Sequence, residues 1–352
     1  MYKSIFIKYI FIACCFFCKQ QIGLSQSQLD TLLFPLNFFE SDEVVSLSLK
    51  FDLKKFIAEK EEGKYHPAEL TYFVNDTVFI NKKVKLKSRG INRLENCYFP
   101  PYWLKIDDKK DDSPEEESYI KKIKVVSHCE NTSAYNYHLL KEFLAYKIFN
   151  IVTDYSFKVK LLRIKYIDTG RENRISEYWG FLIEPEDIMA ERLNAYPIKM
   201  DNASYSLTDT LNTATMNIFQ YMIGNTDYSI SGRHNIKLIK SKDYRKPFLI
   251  PIPYDFDYSG LVNTTYARPN PELGIAHVTV RYYNGVCETD EVFLETLNHF
   301  KNKKEEVLAY IDSFPYLNSK NQKYVTKYIN EFYDEIDKDD FIQKKLRSVC
   351  DK

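Results

Sequence analysis

Asp227 closes the stretch Gly224-Asn225-Thr226-Asp227, Asn235 follows in His234-Asn235, and Asp255 and Asp257 lie in Pro253-Tyr254-Asp255-Phe256-Asp257. One carboxylate can orient a hydroxyl and accept its proton. An amide oxygen and a second carboxylate can hold a divalent ion against phosphate oxygens. These residue types therefore point to phosphoryl-transfer chemistry, with Asp227 as the catalytic carboxylate and Asn235 and Asp255 as metal ligands.

The flanking residues favour this reading over simple turn chemistry. Asp227 follows an apolar-periodic helix and opens a loop rich in Gly, Ser and Asn. Asn235 lies eight positions on, where protein kinases place the corresponding Asn five positions after the Asp, so a turn over Ser229 to Gly232 must bring the two side chains to one ion. Without that turn, Asp227 and Asn235 would only satisfy loop backbone groups. Asp255 ends the extended run Ile250-Pro251-Ile252-Pro253-Tyr254, because each proline biases its predecessor towards extended geometry. Asp255 is accordingly assigned to the ion, and Asp257 to a second ion or to capping the turn at Ser259-Gly260.

Four further residues fit a nucleotide site. Lys124, on the alternating strand Ile123-Lys124-Val125-Val126, faces away from its apolar neighbours, and Glu142 lies on the following helix. A strand lysine paired with a helix glutamate is how kinases fix the α- and β-phosphates. Lys122 shares the strand face and is its rival. Arg89-Gly90 ends a strand and forms a candidate phosphate-facing turn, and Glu184 marks a strand-to-helix hinge where backbone groups could meet an adenine ring. No Gly-x-Ser-x-Gly elbow, His-Glu-x-x-His helix or Walker loop occurs, which removes support for those hydrolase, metalloprotease and P-loop readings.

The elements that must position these residues fall into two groups. Strand-like alternation covers Val44 to Leu53, runs within Tyr65 to Lys87 around turns at Val74-Asn75-Asp76 and Asn81-Lys82, Tyr119 to Val126, Phe157 to Asp168 and Tyr178 to Ile183, with a charge-dense loop from Lys105 to Glu117 and one embedded helix over Tyr135 to Val152. Glu184-Pro185-Glu186 then breaks the pattern. Helical periodicity follows over Thr208 to Ile223, Glu291 to Ser313 and Lys320 to Tyr333, around short strands at Ile236 to Ile239 and Phe248 to Pro251. The pattern predicts an α+β chain of two lobes, a β-rich lobe over 26–184 with one helix and a mainly helical lobe over 185–352, with a ligand cleft between them.

Met1-Tyr2-Lys3, an apolar run from Ile5 to Phe17 and Gly23-Leu24-Ser25 read as a secretory signal over 1–25, cleaved after Ser25. A lipoprotein anchor at Cys14 is the alternative. No later run is long and apolar enough for a membrane span. Lys plus Arg and Asp plus Glu balance at 49 each, which gives no electrostatic ground for nucleic acid as a partner. The sequence sets no oligomeric state. After loss of Cys14, Cys15 and Cys18, the chain keeps Cys97, Cys129, Cys287 and Cys350. In an exported chain these favour disulfides, and pairing within each lobe selects Cys97 with Cys129 and Cys287 with Cys350 over the other two connectivities.

Taken in order, Lys87-Ser88-Arg89-Gly90, Tyr102-Trp103-Leu104-Lys105-Ile106, Gly224-Asn225-Thr226-Asp227 with His234-Asn235, and Pro253-Tyr254-Asp255-Phe256-Asp257 resemble the spore-coat CotH kinase family, secreted atypical kinases that are also similar to HipA-like kinases. The resemblance implies a protein-kinase-like fold, ATP with Mg2+ or Mn2+, and an exported, secreted or periplasmic enzyme that phosphorylates an exported protein. It also implies Asp227 as catalytic, Asn235 and Asp255 as metal-binding and Lys124 as nucleotide-binding. The family's Arg-Gly-Asn-Ser-Ser segment is here Arg89-Gly90-Ile91-Asn92-Arg93. The alternatives are a catalytically silent binding or envelope-structural protein, and a nucleotidyl transferase.

Overall fold

Apolar residues alternating from Val45 onwards build seven strands: β1 Val45–Phe51, β2 His66–Phe73, β3 Phe79–Ser88, β4 Tyr102–Ile106, β5 Lys122–Val126, β6 Val159–Asp168 and β7 Arg174–Ile183. The computed structural model describes residues 34–35, 37–73, 78–107 and 120–350. The expected signal over 1–25, with Cys14, Cys15, Cys18 and Ser25, lies outside these residues, as do the turn at Val74-Asn75-Asp76 and most of the charged stretch ending at Glu117.

The strands close into a barrel in the order β1-β2-β3-β4-β5-β7-β6. Every pair is antiparallel except β1 with β6, which runs parallel with Val45 opposite Leu162. Inward-facing Leu47, Leu49, Leu70, Val84, Leu86, Leu104, Ile123, Val125, Leu162, Ile164 and Leu182 form one buried cluster. Within it, the hydroxyls of Tyr102 and Tyr166 meet at 3.1 Å, so these polar tips partner each other inside an apolar core. Asp52 caps the short helix α1 (Leu53–Ala58) by accepting from the Lys55 N–H, and α1 contributes the fully buried Phe56 to the same cluster. A second short helix, α2 (Asn92–Asn96), links β3 to β4.

The helix α3 (Ser133–Val152) is apolar on most of its circumference because it is covered from both sides. Phe143 and Tyr146 meet Phe181 of β7 on the barrel wall, at ring separations of 5.9 and 5.7 Å. Phe149 meets Phe219 at 4.3 Å. Phe219 belongs to α5 (Thr210–Ile223), which follows α4 (Glu186–Arg192), and α5 packs with α6 (Asp290–Ser313) and α7 (Ser319–Ile336). A separate sheet of β8 (Ala195–Ile198), β9 (Ile236–Ser241) and β10 (Leu249–Pro253), in the order β10-β9-β8, lies between these helices in sequence. Among the described residues no helix is long and apolar enough to cross a membrane.

This architecture corrects the expected two-lobe protein-kinase-like fold. Periodicity identifies strands but carries no information on which strand pairs with which, and the parallel β1–β6 pair closes the sheet from segments remote in sequence. β7 inserts between β5 and β6, so these consecutive strands are not neighbours. The first part of the chain also holds three helices, α1, α2 and α3, where one was expected, because α1 and α2 are too short to show a helical stripe. Asn81-Lys82 is not a turn: both residues lie within β3, where Asn81 Oδ1 accepts from Thr71 Oγ1 across the ladder at 2.7 Å.

Cys97 is bonded to Cys129, and Cys287 to Cys350. The first bond ties the residue after α2 to the segment before α3. The second joins the approach to α6 to the end of the described chain. Replacing both cysteines of the second pair by serine is expected to lower stability by about 2–4 kcal/mol through the freed loop. Guanidinium unfolding of the full chain measures that loss, and digestion under non-reducing conditions identifies the two linked peptide pairs by mass.

Candidate functional site

Arg89, Arg93, Asp227, Arg233, His234, Asn235, Asp255 and Asp257 line one cleft of about 280 Å³, with Tyr254 and Tyr258. Two larger grooves, of about 840 and 920 Å³, lie on the barrel exterior near His66 and between α3 and α6. Their charged lining is mixed and mostly exposed, whereas in the smaller cleft buried charges converge.

The loop that presents Asp227 is set by its own side chains. α5 ends at Gly224, whose φ of +66° is the left-handed conformation of a helix C-cap. A Cβ there would also strike the Tyr328 hydroxyl. The buried Asn225 side chain accepts from the Asp227 N–H at 3.1 Å and donates to Gln220 Oε1 at 3.0 Å. Ser229 and His234 exchange two backbone hydrogen bonds of 2.9 Å, which closes the expected turn and returns Asn235 to Asp227. Asn235 Nδ2 donates to Asp227 Oδ2 at 3.0 Å and to its carbonyl at 2.8 Å. His234 Nε2 lies 2.8 Å from Asp227 Oδ1. An ionised carboxylate only accepts, so Nε2 carries the proton in this pair. The bond to Asp227 holds the imidazole above the ordinary histidine range, against partial burial.

Asp255 does not continue the extended strand. Its φ is +66°, and its N–H donates to the Tyr146 hydroxyl at 2.8 Å, while Phe256 is buried against the rings of Tyr146 and Phe219 at 4.6 and 5.5 Å. The left-handed residue turns the chain so that Asp255 and Asp257 face the same guanidinium and come within hydrogen-bonding reach of each other. Both carboxylates thus belong to one cluster around Arg93. Burial pushes the Asp255 carboxyl up to about 6, with Asp257 adding to the rise and Arg93 and Arg89 opposing it. Its side chain remains 36% exposed to the cleft.

The guanidinium at the centre belongs to Arg93 of α2. Its Nε donates to Asp257 Oδ2 at 2.8 Å, one Nη lies 2.5 Å from Glu142 Oε2, and the same Nη is 3.7 Å from Asp255 Oδ1. Arg93 is 9% exposed and Glu142 2%. Tyr266 completes the shell by donating to Asp257 Oδ2 at 2.8 Å. Burial and the two aspartates push the Glu142 acid up, and Arg93 opposes them. Glu142 Oε1 is buried without a hydrogen-bond partner.

The expected Lys124–Glu142 pair is therefore not formed. Lys124 lies on the outward face of β5, directly across from Trp103 of β4, with its amine over the rings of Trp103 and Tyr254 at 5.7 and 5.0 Å. Lys122 and Arg89 lie over the same Trp103 at 4.3 and 5.5 Å. Glu142 instead meets Arg93, whose guanidinium fork serves several carboxylates at once. Glu184 lies apart from the cleft lining. Its two oxygens accept from Arg192 at 2.9 and 2.8 Å, and one also accepts from the Lys158 N–H at 2.9 Å. Arg93, Tyr146 and Tyr266 were not singled out from sequence. One signal was available for Arg93: Glu142, Asp255 and Asp257 all sit in apolar surroundings, and buried carboxylates need a cation.

The donor set of carboxylate and amide oxygens at Asp255, Asp257 and Asn235 suits a hard divalent ion such as Mg2+ or Mn2+. The orphaned Glu142 Oε1 indicates that the local acid exceeds its partners. Among the described residues no three His, Cys, Asp or Glu side chains converge as a closed metal-binding group.

No family model matches the chain, and no curated protein matches it. Among solved structures it is similar to the crystal structure of a Helicobacter pylori proinflammatory kinase, CtkA, at 10% identity and a TM-score of 0.37, over 62% of this chain and 86% of that one. A likeness of that strength carries no argument about fold or function.

Burial, together with Arg89 and Lys237, lowers the Lys124 amine to about 8. Lys124 should therefore acylate with a midpoint near pH 8, below exposed lysines. Arg89→Gln should move that midpoint upward by removing a like charge. Pulsed acetylation across pH, read by peptide mass spectrometry, measures both.

Proposed function

We propose that this chain is an exported, CotH-like phosphotransferase that moves the γ-phosphate of ATP, with Mg2+ or Mn2+, to a hydroxyl of an exported protein. The observation that carries the reading is the convergence of Asp227, Asn235, Asp255 and Asp257 on one cleft whose rim bears Arg89 and, towards the barrel wall, Lys124. The fold is not part of the argument. Two disulfides fit an oxidising compartment.

In this reading Asn235 and His234 hold the Asp227 carboxylate in one orientation, each oxygen keeping a free lone pair towards the cleft. The substrate hydroxyl oxygen attacks the γ-phosphorus, the bond from phosphorus to the β–γ bridging oxygen breaks, and the hydroxyl proton passes to Asp227. Asp255 and Asp257, with the Asn235 amide oxygen, would hold the divalent ion, which when bound neutralises charge on the phosphate oxygens. Arg89 and Lys124 supply positive charge on the opposite wall. The cleft volume of about 280 Å³ has room for the phosphate end of a nucleotide, with the base outside against Tyr254 and Trp103.

A silent binding protein is the rival reading, and one observation favours it: Arg93 already neutralises part of the acid that an ion would occupy. Transfer of labelled γ-phosphate, measured beside metal-dependent nucleotide affinity, separates the two. Asp227→Asn is expected to keep Mg2+-ATP binding and to cut transfer by ~10²–10⁴, the scale for losing a general base. Asp255→Ala is expected to abolish metal-dependent binding. Wild-type transfer by Asp227→Asn, or no nucleotide binding by the native chain, would sink the proposal.

A further inference from the structure

We infer that Arg93 is a built-in competitor of the metal: it holds the Asp255 and Asp257 carboxylates in the metal-free state, and a divalent ion binds them only when the guanidinium lets go. The inference rests on the reading of those aspartates as metal ligands. Two observations support it. The guanidinium bridges the aspartates from between, with Nε on Asp257 and an Nη facing Asp255. Its third carboxylate, Glu142, is not among the proposed ligands and keeps a buried oxygen without a partner.

That orphaned oxygen gives Arg93 somewhere to go. Glu142 Oε2 is already bound by one Nη. If Nε leaves Asp257, a second N–H can turn to Glu142 Oε1 and complete a two-point fork on one carboxylate, the arrangement arginine favours. The metal-free state would then share one cation among three acids, and the metal-bound state would give the aspartates to the ion and Glu142 to Arg93. Arg93 stays buried in both states, so no charge is stranded at any stage.

The test uses the full chain with Mg2+ alone, without nucleotide. Arg93→Met is expected to bind Mg2+ at least ~10-fold more tightly than the native chain, because it removes a unit charge ~4 Å from the ion at protein-like dielectric. Arg93→Lys, which keeps the charge on a single donor, should fall between them. Thermal melts check that both variants fold. A second measurement needs no variant: in the native protein labelled at arginine, the Arg93 Nε–H resonance should shift as Mg2+ is added. Equal or weaker Mg2+ binding by Arg93→Met, with an unmoved Arg93 resonance, would make Arg93 a fixed organiser and overturn the competition while leaving the metal site intact. Absence of Mg2+ binding in both native chain and Arg93→Met would overturn the competition and the metal reading together.

Discussion

Arg93 meets Glu142 of α3 and the Asp255–Asp257 turn that follows β10 from a helix of only five residues, so the barrel connection, the central helix and the acidic loop are tied at one buried guanidinium. Such a cluster is costly to build and costly to break. Removing one member of a buried ion pair typically destabilises by about 3–5 kcal/mol, because the partner charge stays buried. Here three carboxylates share one guanidinium, and burial, with the neighbouring acids adding to it, raises the Asp255 and Glu142 carboxyls. The same excess of acid that burdens the fold makes the cleft receptive to a further cation. Stability and proposed chemistry draw on a single electrostatic fact.

The motifs were legible in the sequence because they are local. Asp227 and Asn235 could be foreseen to meet through a turn, and the Ser229–His234 backbone pair supplies it. The preferred cysteine pairs, Cys97 with Cys129 and Cys287 with Cys350, are the ones formed. What could not be read were the partners set by tertiary structure. Glu142 lies on a helix covered on both sides, so its direction is not encoded in a stripe. The barrel failed to show for the same reason. Each strand announces its own alternation, but nothing in Val45–Phe51 or Val159–Asp168 announces that the two run parallel and close the sheet.

Among the described residues, three of the nine non-glycine residues with positive φ lie at the proposed site: Arg233, Asn235 and Asp255, at 49°, 54° and 66°, in a region that non-glycine residues seldom occupy. Two of them are held there by specific bonds: Asn235 by its contacts to Asp227 and by accepting from the Tyr254 N–H at 3.0 Å, Asp255 by Tyr146. Such conformations cost of order 1–3 kcal/mol apiece and persist only where the surroundings over-determine them. At Asp255 the left-handed kink belongs to the turn from which Asp255 and Asp257 both meet Arg93.

The first disulfide completes this logic. α2 is too short to be stable as an isolated helix, and Ile91 at its N-terminus offers no side-chain cap. Its position comes from its far end, where Cys97 bonds Cys129, the Cys97 carbonyl accepts from Lys60 Nζ at 2.9 Å, and Phe99 N–H donates to the Cys129 carbonyl at 2.8 Å. Cys129 opens the segment that leads into α3. The bond therefore fixes both partners of the Arg93–Glu142 pair at once, and it shortens the chain path between them from 49 residues to roughly 17, lowering the closure cost by about 1 kcal/mol. A five-residue helix can place a buried arginine because a covalent bond, rather than its own hydrogen bonds, decides where it lies.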